Sequence, residues 1–301
     1  MNFDIGEVLT HAWQITWKNK ILWVAGVVFG LFFAFLVPLM MTPVFLPVIM
    51  RSTDLNRWGG AFIAIYVLGI VLFFLLMIPL STFMQIWLTR GILHGTQDEG
   101  ELSVRKLIRE SQPYFMKVLG LLLLTSLATT LITFIIQGIV MIFTILTLGL
   151  GMFCAMPLMM LSYPLMFFTI VWMEQAMNGI VIDDFAVMDA IRQGWYLIRK
   201  NLLPFGLMAL VVYFGVGMVT SALMMPLMTP IFIIPFSFVE NNDPNLAVLA
   251  ISFLCMLASA PIFALVFGWS MAFTKSAWVL TYLRLTRSTG SPQPILQEVT
   301  A

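Results

Sequence analysis

The chain has 301 residues, of which 61% are hydrophobic and only 10% are charged, and its formal net charge is +1. An ordinary soluble domain carries about 25% charged residues. Because a soluble fold could not bury so much apolar surface, this composition excludes a soluble enzyme or binding domain. The near-zero net charge gives no reason to expect a nucleic-acid partner.

Six apolar runs are long enough to cross a bilayer, since a transmembrane helix needs about 20 mostly apolar residues. They lie at 21–50, 61–89, 118–146, 153–173, 202–235 and 246–272. We therefore predict an all-α integral membrane protein with six transmembrane helices. Residues 1–301 form a single membrane domain in this interpretation, with a short polar tail at 288–301.

Amphipathic segments precede three of these runs. Phe3–Asn19 has apolar residues at helical spacing, acidic residues in its first turn and Lys18 near its end, so its charges oppose the helix macrodipole. Phe185–Asn201 repeats this scheme, and Leu102–Lys117 repeats it in degraded form. We predict three helices at the cytoplasmic membrane interface, with anchoring as their role and partner docking or regulation as the alternative. The predicted anchors are Trp13, Trp17, Lys18, Trp195, Arg199 and Lys200.

The chain contains internal repeats. Phe3–Asn19 aligns without a gap on Phe185–Asn201, and PLSTFMQIW at 79–87 resembles PLMFFTIVW at 164–172. Each unit is predicted to be an amphipathic helix followed by two spans, which returns the chain to its starting side. The units are therefore parallel repeats about an axis along the membrane normal. Their ranges are 1–97, 98–180 and 181–287, of which the middle unit is the weakest match.

Two proline-rich phrases occupy equivalent places in the first and third units. Pro38–Pro47 reads PLMMTPVFLP, and Pro226–Pro235 reads PLMTPIFIIP. Because proline removes a backbone donor and disfavours helix at the preceding residue, we predict that both helices break near the outer face. The broken segments would cap the bundle, line a pathway, or dock lipid or a partner. The candidate residues are Pro38, Thr42, Pro43, Pro47, Pro226, Thr229, Pro230 and Pro235.

The fifteen Lys and Arg residues indicate the orientation. With six spans, thirteen of them lie on one side and only Arg51 and Arg57 on the other. Because basic residues of short loops are retained in the cytoplasm, we predict that both termini are cytoplasmic. The basic side would meet anionic headgroups, so the lipid bilayer is the first predicted partner.

Three polar side chains within the spans are candidates for a functional role. Glu174 and Lys275 lie near predicted cytoplasmic ends, where snorkelling or pairing would accommodate a charge. Gln137 is the most central, and we expect it to form a cross-helix hydrogen bond. Gly26 and Gly30 form a G-x-x-x-G motif, which is typical of a close helix contact.

The sequence lacks the common catalytic motifs. His11 and His94 belong to no H-E-x-x-H, and no G-x-S-x-G, P-loop or G-x-G-x-x-G is present. Cys154 and Cys255 lie in predicted spans, where packing explains them, as it does the twenty-three methionines. We predict no enzymatic activity, no metal site and no cofactor.

Two segments carry a resemblance to a known group. AVMDAIRQGWYLIRKNLLPF (Ala186–Phe205) is similar to the cytoplasmic helix of the glycerophosphoryl diester phosphodiesterase membrane-domain family and related multi-span proteins of unknown function. SAWVLTYLRL (Ser276–Leu285) looks like that group's terminal small-aromatic-Tyr-x-x-Leu pattern. The resemblance implies a helical membrane domain. It does not imply phosphodiester hydrolysis, because this sequence has no phosphodiesterase domain.

Together with the resemblance, these features favour a non-catalytic polytopic protein of the cytoplasmic (inner) membrane of a prokaryote, which organises the envelope or serves as a membrane subunit of a larger assembly. The alternative is a transporter or channel component with a pathway near the pseudo-axis of the repeats. Its partners would be other membrane subunits or a separate nucleotide-binding subunit. A third hypothesis is an intramembrane enzyme that acts on lipid.

Overall fold

The computed structural model describes residues 4–52, 59–97, 104–233 and 246–288. Within these ranges the backbone is helical apart from short turns, and no strand is described there, so the all-α prediction is confirmed. The helices are α1 (Ile5–Lys18), α2 (Ile21–Ser52), α3 (Gly59–Gln97), α4 (Val104–Leu146), α5 (Gly151–Asp183), α6 (Val187–Lys200), α7 (Leu202–Ala209), α8 (Gly217–Ile233) and α9 (Leu246–Ser288). A π-helical segment, Leu210–Val216, joins α7 to α8. All but the first residue of the predicted tail at 288–301 lies outside the described residues.

Two of the predicted amphipathic helices, α1 and α6, are present as separate elements. The Asp4 side chain caps α1 by accepting a hydrogen bond from the backbone N–H of Gly6 at 2.9 Å. Each helix ends at a Lys-Asn pair, and α2 then leaves α1 at an angle of 83°. The buried face of α1 consists of Val8, Ala12 and Thr16, and that of α6 of Ala190, Gly194, Leu197 and Ile198.

The third predicted amphipathic segment is not a separate helix, and that prediction is wrong. Residues 104–117 form the start of α4, which continues to Leu146 through Pro113. The segment has no Lys-Asn pair at its end, unlike α1 and α6. Without a residue that ends the helix, the amphipathic and apolar parts remain continuous.

Several helices are long and apolar enough to cross a membrane. By length and composition, the described residues contain four, or five if α1 and the first part of α2 count as one bent span. The four are Ile63–Thr96, Val104–Leu146, Leu202–Thr229 and Ala250–Thr286. The chain is therefore a helical membrane protein.

The predicted breaks at the proline-rich phrases are wrong. The α2 backbone is helical through Pro38–Pro47, and α8 is helical through Pro226 and Pro230, while Pro235 lies outside the described residues. In an apolar environment a helix loses only the bond that each proline removes, whereas an irregular segment would leave several backbone groups unpaired. Other prolines also lie inside helices, namely Pro79, Pro113 and Pro261.

A close helix crossing joins α2 to α9 and involves glycines on both helices. A Cβ atom added to Gly26 would lie 2.6 Å from the Cα of Gly268, and one added to Gly30 would lie 3.0 Å from the Cα of Ala264. The close contact predicted from the G-x-x-x-G motif is confirmed. Small residues on both helices allow the two backbones to touch.

The buried core lies towards one end of the bundle. In α4 the buried residues lie between 107 and 121, whereas Phe134 is 77% exposed. In α3 they lie between 82 and 92, whereas Ile65 is 68% exposed. The buried part of α9 reaches Leu285, close to the end of that helix. The opposite parts of α3 and α4 present apolar side chains on their surface, as helices in contact with lipid do.

Candidate functional site

The most deeply buried ion pair of the described residues joins α5 to α9. The ammonium of Lys275 donates a hydrogen bond to Glu174 Oε2 at 2.6 Å, and the two side chains are 4% and 17% exposed. Lys275 Nζ also lies 3.8 Å from Met177 Sδ. Because an isolated buried charge carries a large desolvation cost, each of these two groups needs the other to offset that cost. Of the two roles predicted for this pair, the structure shows pairing.

A cavity of about 120 Å³, lined by both polar and apolar side chains, adjoins this ion pair between α3, α5 and α9. At one wall, Thr220 donates a hydrogen bond to the Ser270 hydroxyl at 3.0 Å. At the others, the lining includes Gln85 and Thr274, whose side chains can both donate and accept hydrogen bonds. The lining residues are Gln85, Leu88, Glu174, Ser270, Met271, Thr274 and Lys275.

Two side-chain amides next to the ion pair in sequence are fully buried. Neither the oxygen nor the nitrogen of Gln175 or Asn178 has a hydrogen-bond partner in the part of the chain that the structure describes. Asn178 follows Glu174 by four residues, so the two lie on the same face of α5. Buried amides without partners are uncommon in native proteins and often mark a function or ordered water.

The site lies close to the level of α1 and α6. The Trp172 indole donates to the Ile191 carbonyl of α6 at 2.9 Å, and the Trp269 ring lies 6.0 Å from that of Trp13 of α1. Gly268 packs against Trp23, which is in the first turn of α2. Glu174 and Ser270 therefore lie within about one helical turn of residues that contact the amphipathic helices.

Polar links hold the helices together at this end of the bundle. Arg284 of α9 pairs with Glu7 of α1 at 2.7 Å, and Lys117 of α4 pairs with Asp184 at the end of α5, also at 2.7 Å. The hydrogen bond from Arg284 is the main reason that the pKa of the Glu7 carboxyl is below its ordinary value. Further links are the hydrogen bond from Tyr282 to Asp183, the contact of His94 with Glu110, and Arg90 over the Tyr114 ring.

None of the residues predicted for the outer segments is among the described lining residues of this cavity. Pro38, Thr42, Pro43 and Pro47 lie in the second half of α2, and of their side chains nothing is described. In α8, Pro226 and Thr229 are exposed, Pro230 has a described backbone only, and Pro235 lies outside the described residues.

The predicted anchors lie on the exposed surfaces of α1 and α6. Trp13, Trp17 and Trp195 are each nearly half exposed. Trp17 contacts Trp23 with ring centroids 5.2 Å apart, so it covers the bend between α1 and α2. The basic anchors Lys18, Arg199 and Lys200 are exposed at the ends of the two helices.

Gln137 is exposed on α4 and does not belong to the site. The predicted cross-helix hydrogen bond is not among its described contacts. Sequence reasoning missed Gln85, Gln175 and Asn178. A signal existed in α3, because Thr82, Gln85 and Thr89 recur at helical spacing and place polar groups on one face of an apolar helix.

No group of three or more His, Cys, Asp or Glu side chains that could hold a metal ion occurs among the described residues. The chain matches no family model, and comparisons with curated proteins and with solved structures find no significant match.

Proposed function

We propose that the chain is a non-catalytic integral membrane protein of a prokaryotic cytoplasmic membrane, acting as a structural component or membrane subunit. The observation that carries this proposal is the division of the bundle into two parts. At one end the helices are closely packed and joined by ion pairs, and the rest of the bundle presents apolar helix faces. Such a molecule is suited to holding a fixed position at the membrane surface while its long helices contact lipid or other subunits.

Six spans follow in this proposal from treating α5 as a crossing helix. It has 33 residues, which corresponds to about 50 Å and exceeds the roughly 30 Å of a hydrocarbon core. With α2, α3, α4, α5, the α7–α8 segment and α9 each crossing once, α1 and α6 lie on the same side.

Three parallel repeat units are part of the proposal. Supporting it, the second span of each unit contains a proline followed eight residues later by a tryptophan. These segments are Pro79–Trp87, Pro164–Trp172 and Pro261–Trp269. The continuous helix through both proline-rich phrases removes the broken segments as a shared feature, so the repeats now depend on these tryptophans and on the α1 and α6 pair. Relationship to the phosphodiesterase membrane-domain group remains an expectation from the resemblance.

The orientation is supported by the position of the basic residues. Lys117, Arg284 and the basic ends of α1 and α6 all lie at the packed end. By the retention of basic residues on the cytoplasmic side, this end and both termini are cytoplasmic.

The experiment for the subunit role is extraction of the full chain from its native membrane in polymer-bounded lipid discs, followed by native mass spectrometry. We expect a fixed stoichiometry with other copies or with a second membrane protein. The same protein reconstituted into liposomes should show no solute flux above that of empty liposomes.

The transporter or channel alternative is favoured by one observation, the cavity whose lining includes the ionisable side chains of Glu174 and Lys275. Ionisable residues within a helix bundle commonly mark a solute or proton path. Flux in liposomes that is abolished by Glu174→Gln and retained in Gln137→Leu would establish that alternative and contradict the structural role.

A further inference from the structure

The cavity between α3, α5 and α9 is matched to a ligand that carries both signs of charge. Its described lining contains one ammonium, from Lys275, and one carboxylate, from Glu174, so the site is neutral as a whole. A lone cation or anion would introduce an uncompensated charge beside two charged side chains that are themselves only 4% and 17% exposed, which is unfavourable. A zwitterion can instead extend the existing pair, with its anionic group beside Lys275 and its cationic group beside Glu174.

The cavity also has hydrogen-bonding groups and space available. Gln85 and Thr274 are among its lining residues, and their side chains can both donate and accept hydrogen bonds. Its volume of about 120 Å³ exceeds the roughly 10–15 Å³ that a cavity needs, on the same measure, to hold one water molecule. It therefore has room for a group of several non-hydrogen atoms.

The depth of the cavity favours a lipid headgroup over a transported solute. Substrate sites of secondary transporters lie near the bilayer midplane. Two lining residues of this cavity, Glu174 and Ser270, instead follow Trp172 and Trp269 by two residues and one residue. These two tryptophans contact α6 and α1. Tryptophan side chains of this kind are enriched at the headgroup level.

An apolar surface for acyl chains continues from the cavity along α3. Ile78 and Phe74 precede Gln85 by seven and eleven residues and so share its face of the helix. They are 40% and 48% exposed. On α5, Phe167 precedes Glu174 by two helical turns and is 37% exposed.

The geometry points to a binding site for the phosphoethanolamine headgroup of a phospholipid. Its phosphate is placed beside Lys275 and its primary amine beside Glu174, and Gln85 and Thr274 supply further hydrogen bonds. A primary amine can donate to the Glu174 carboxylate, whereas the quaternary amine of a choline headgroup has no N–H to donate. This assignment rests on the proposed function, in which α1 and α6 lie at the membrane interface.

The test is lipid retention by the full chain. The protein is delipidated in detergent and mixed with equal amounts of phosphatidylethanolamine, phosphatidylcholine and phosphatidylglycerol that have the same acyl chains, and native mass spectrometry counts the retained lipids. We expect one phosphatidylethanolamine per chain, preferred by about tenfold or more, equivalent to about 1.4 kcal/mol. Equal retention of the three lipids, or preference for phosphatidylglycerol, would overturn the assignment.

Matched variants locate the site. Gln85→Leu removes a lining amide without touching the ion pair, and Gln137→Leu removes an exposed amide of α4 outside the cavity. Gln85→Leu should lose the preference for phosphatidylethanolamine, and Gln137→Leu should keep it. Equal retention by both variants would overturn the proposal. Because this assay measures the cavity alone, its failure would leave the proposed topology and subunit role intact.

Competition with water-soluble phosphoethanolamine distinguishes binding of the headgroup alone from binding that requires the intact lipid. Either of the following two results supports the site. Competition that releases phosphatidylethanolamine assigns the affinity to the headgroup. No release, together with loss of retention in Gln85→Leu, assigns it to the intact lipid.

Discussion

Gly26 of α2 lies against Gly268 of α9 so closely that a Cβ atom on Gly26 would be 2.6 Å from the Gly268 Cα. Gly268 precedes Ser270 by two residues and Lys275 by seven, or about half a turn and two turns. The contact fixes the start of α2 against α9, which carries Lys275 of the ion pair. The geometry of the cavity therefore depends on a backbone contact that no larger side chain permits.

Gly268→Leu should destabilise the fold because its side chain would meet the backbone of Trp23 and Val27. Overpacking of this kind typically costs about 1–3 kcal/mol. Thermal unfolding in detergent, followed by tryptophan fluorescence, measures the effect. The control is Gly138→Leu on α4, since a Cβ atom there meets nothing within 4 Å. Equal unfolding temperatures for the two variants would contradict the α2–α9 contact.

Lys275→Met should lower the free energy of unfolding because it leaves the Glu174 carboxylate without its partner. Breaking a buried pair costs about 3–5 kcal/mol. The double variant Lys275→Met with Glu174→Gln should recover part of this loss in the same unfolding assay. The control is Lys117→Met, whose side chain and that of its partner Asp184 are 38% and 67% exposed. An exposed pair of this kind contributes about 1 kcal/mol or less, so similar losses for Lys117→Met and Lys275→Met would contradict the buried pair.

The Glu7–Arg284 pair should make stability depend on pH. The pKa of Glu7 is below its ordinary value of 4.5 in the folded chain. Its stabilisation is therefore present above that value and is lost as pH falls through the lowered folded-state pKa. We expect the unfolding temperatures of the parent and its Glu7→Gln variant to converge as the pH falls from about 7 to about 3. Both proteins should carry His11→Gln, because the His11 imidazole contacts both Glu7 and Arg284. A difference that persists at the lowest pH would contradict the pair.

Pro43→Ala should stabilise the protein if α2 is continuous, because alanine restores a backbone donor inside a helix. Proline in a helix interior costs up to about 3 kcal/mol relative to alanine. We expect an increase of about 1–3 kcal/mol in thermal unfolding experiments. A loss of stability would instead favour the irregular segment that the sequence predicts.

The sequence is sufficient to predict the membrane class, the α1 and α6 helices and the contact at Gly26, because each depends on composition or on local spacing. It fails at the proline-rich phrases. Local rules treat Pro43 as a helix breaker, but in an apolar environment the alternative to helix is unpaired backbone. It also fails at Leu102–Lys117, where the amphipathic pattern is visible but nothing in the pattern shows that the helix continues.

The candidate site could be predicted only in part. Glu174 and Lys275 stand out because charges are rare within apolar runs, although 101 residues separate them. Their pairing depends on how α5 packs against α9, and no local pattern specifies that. Gln85 and Thr274 are ordinary polar residues whose role appears only when three helices place them around one cavity.

The central claim is that the packed, ion-paired end of the bundle is cytoplasmic in a membrane protein with six spans. Its most direct measurement is labelling of single cysteines in intact cells with a thiol reagent that cannot cross the membrane, after Cys154 and Cys255 have been replaced by alanine. Ser52→Cys and Asn242→Cys should react, and Gln97→Cys should react only after the cells are opened. Labelling of Gln97→Cys alone in intact cells would contradict the orientation, and labelling of only one of the other two would contradict the six spans.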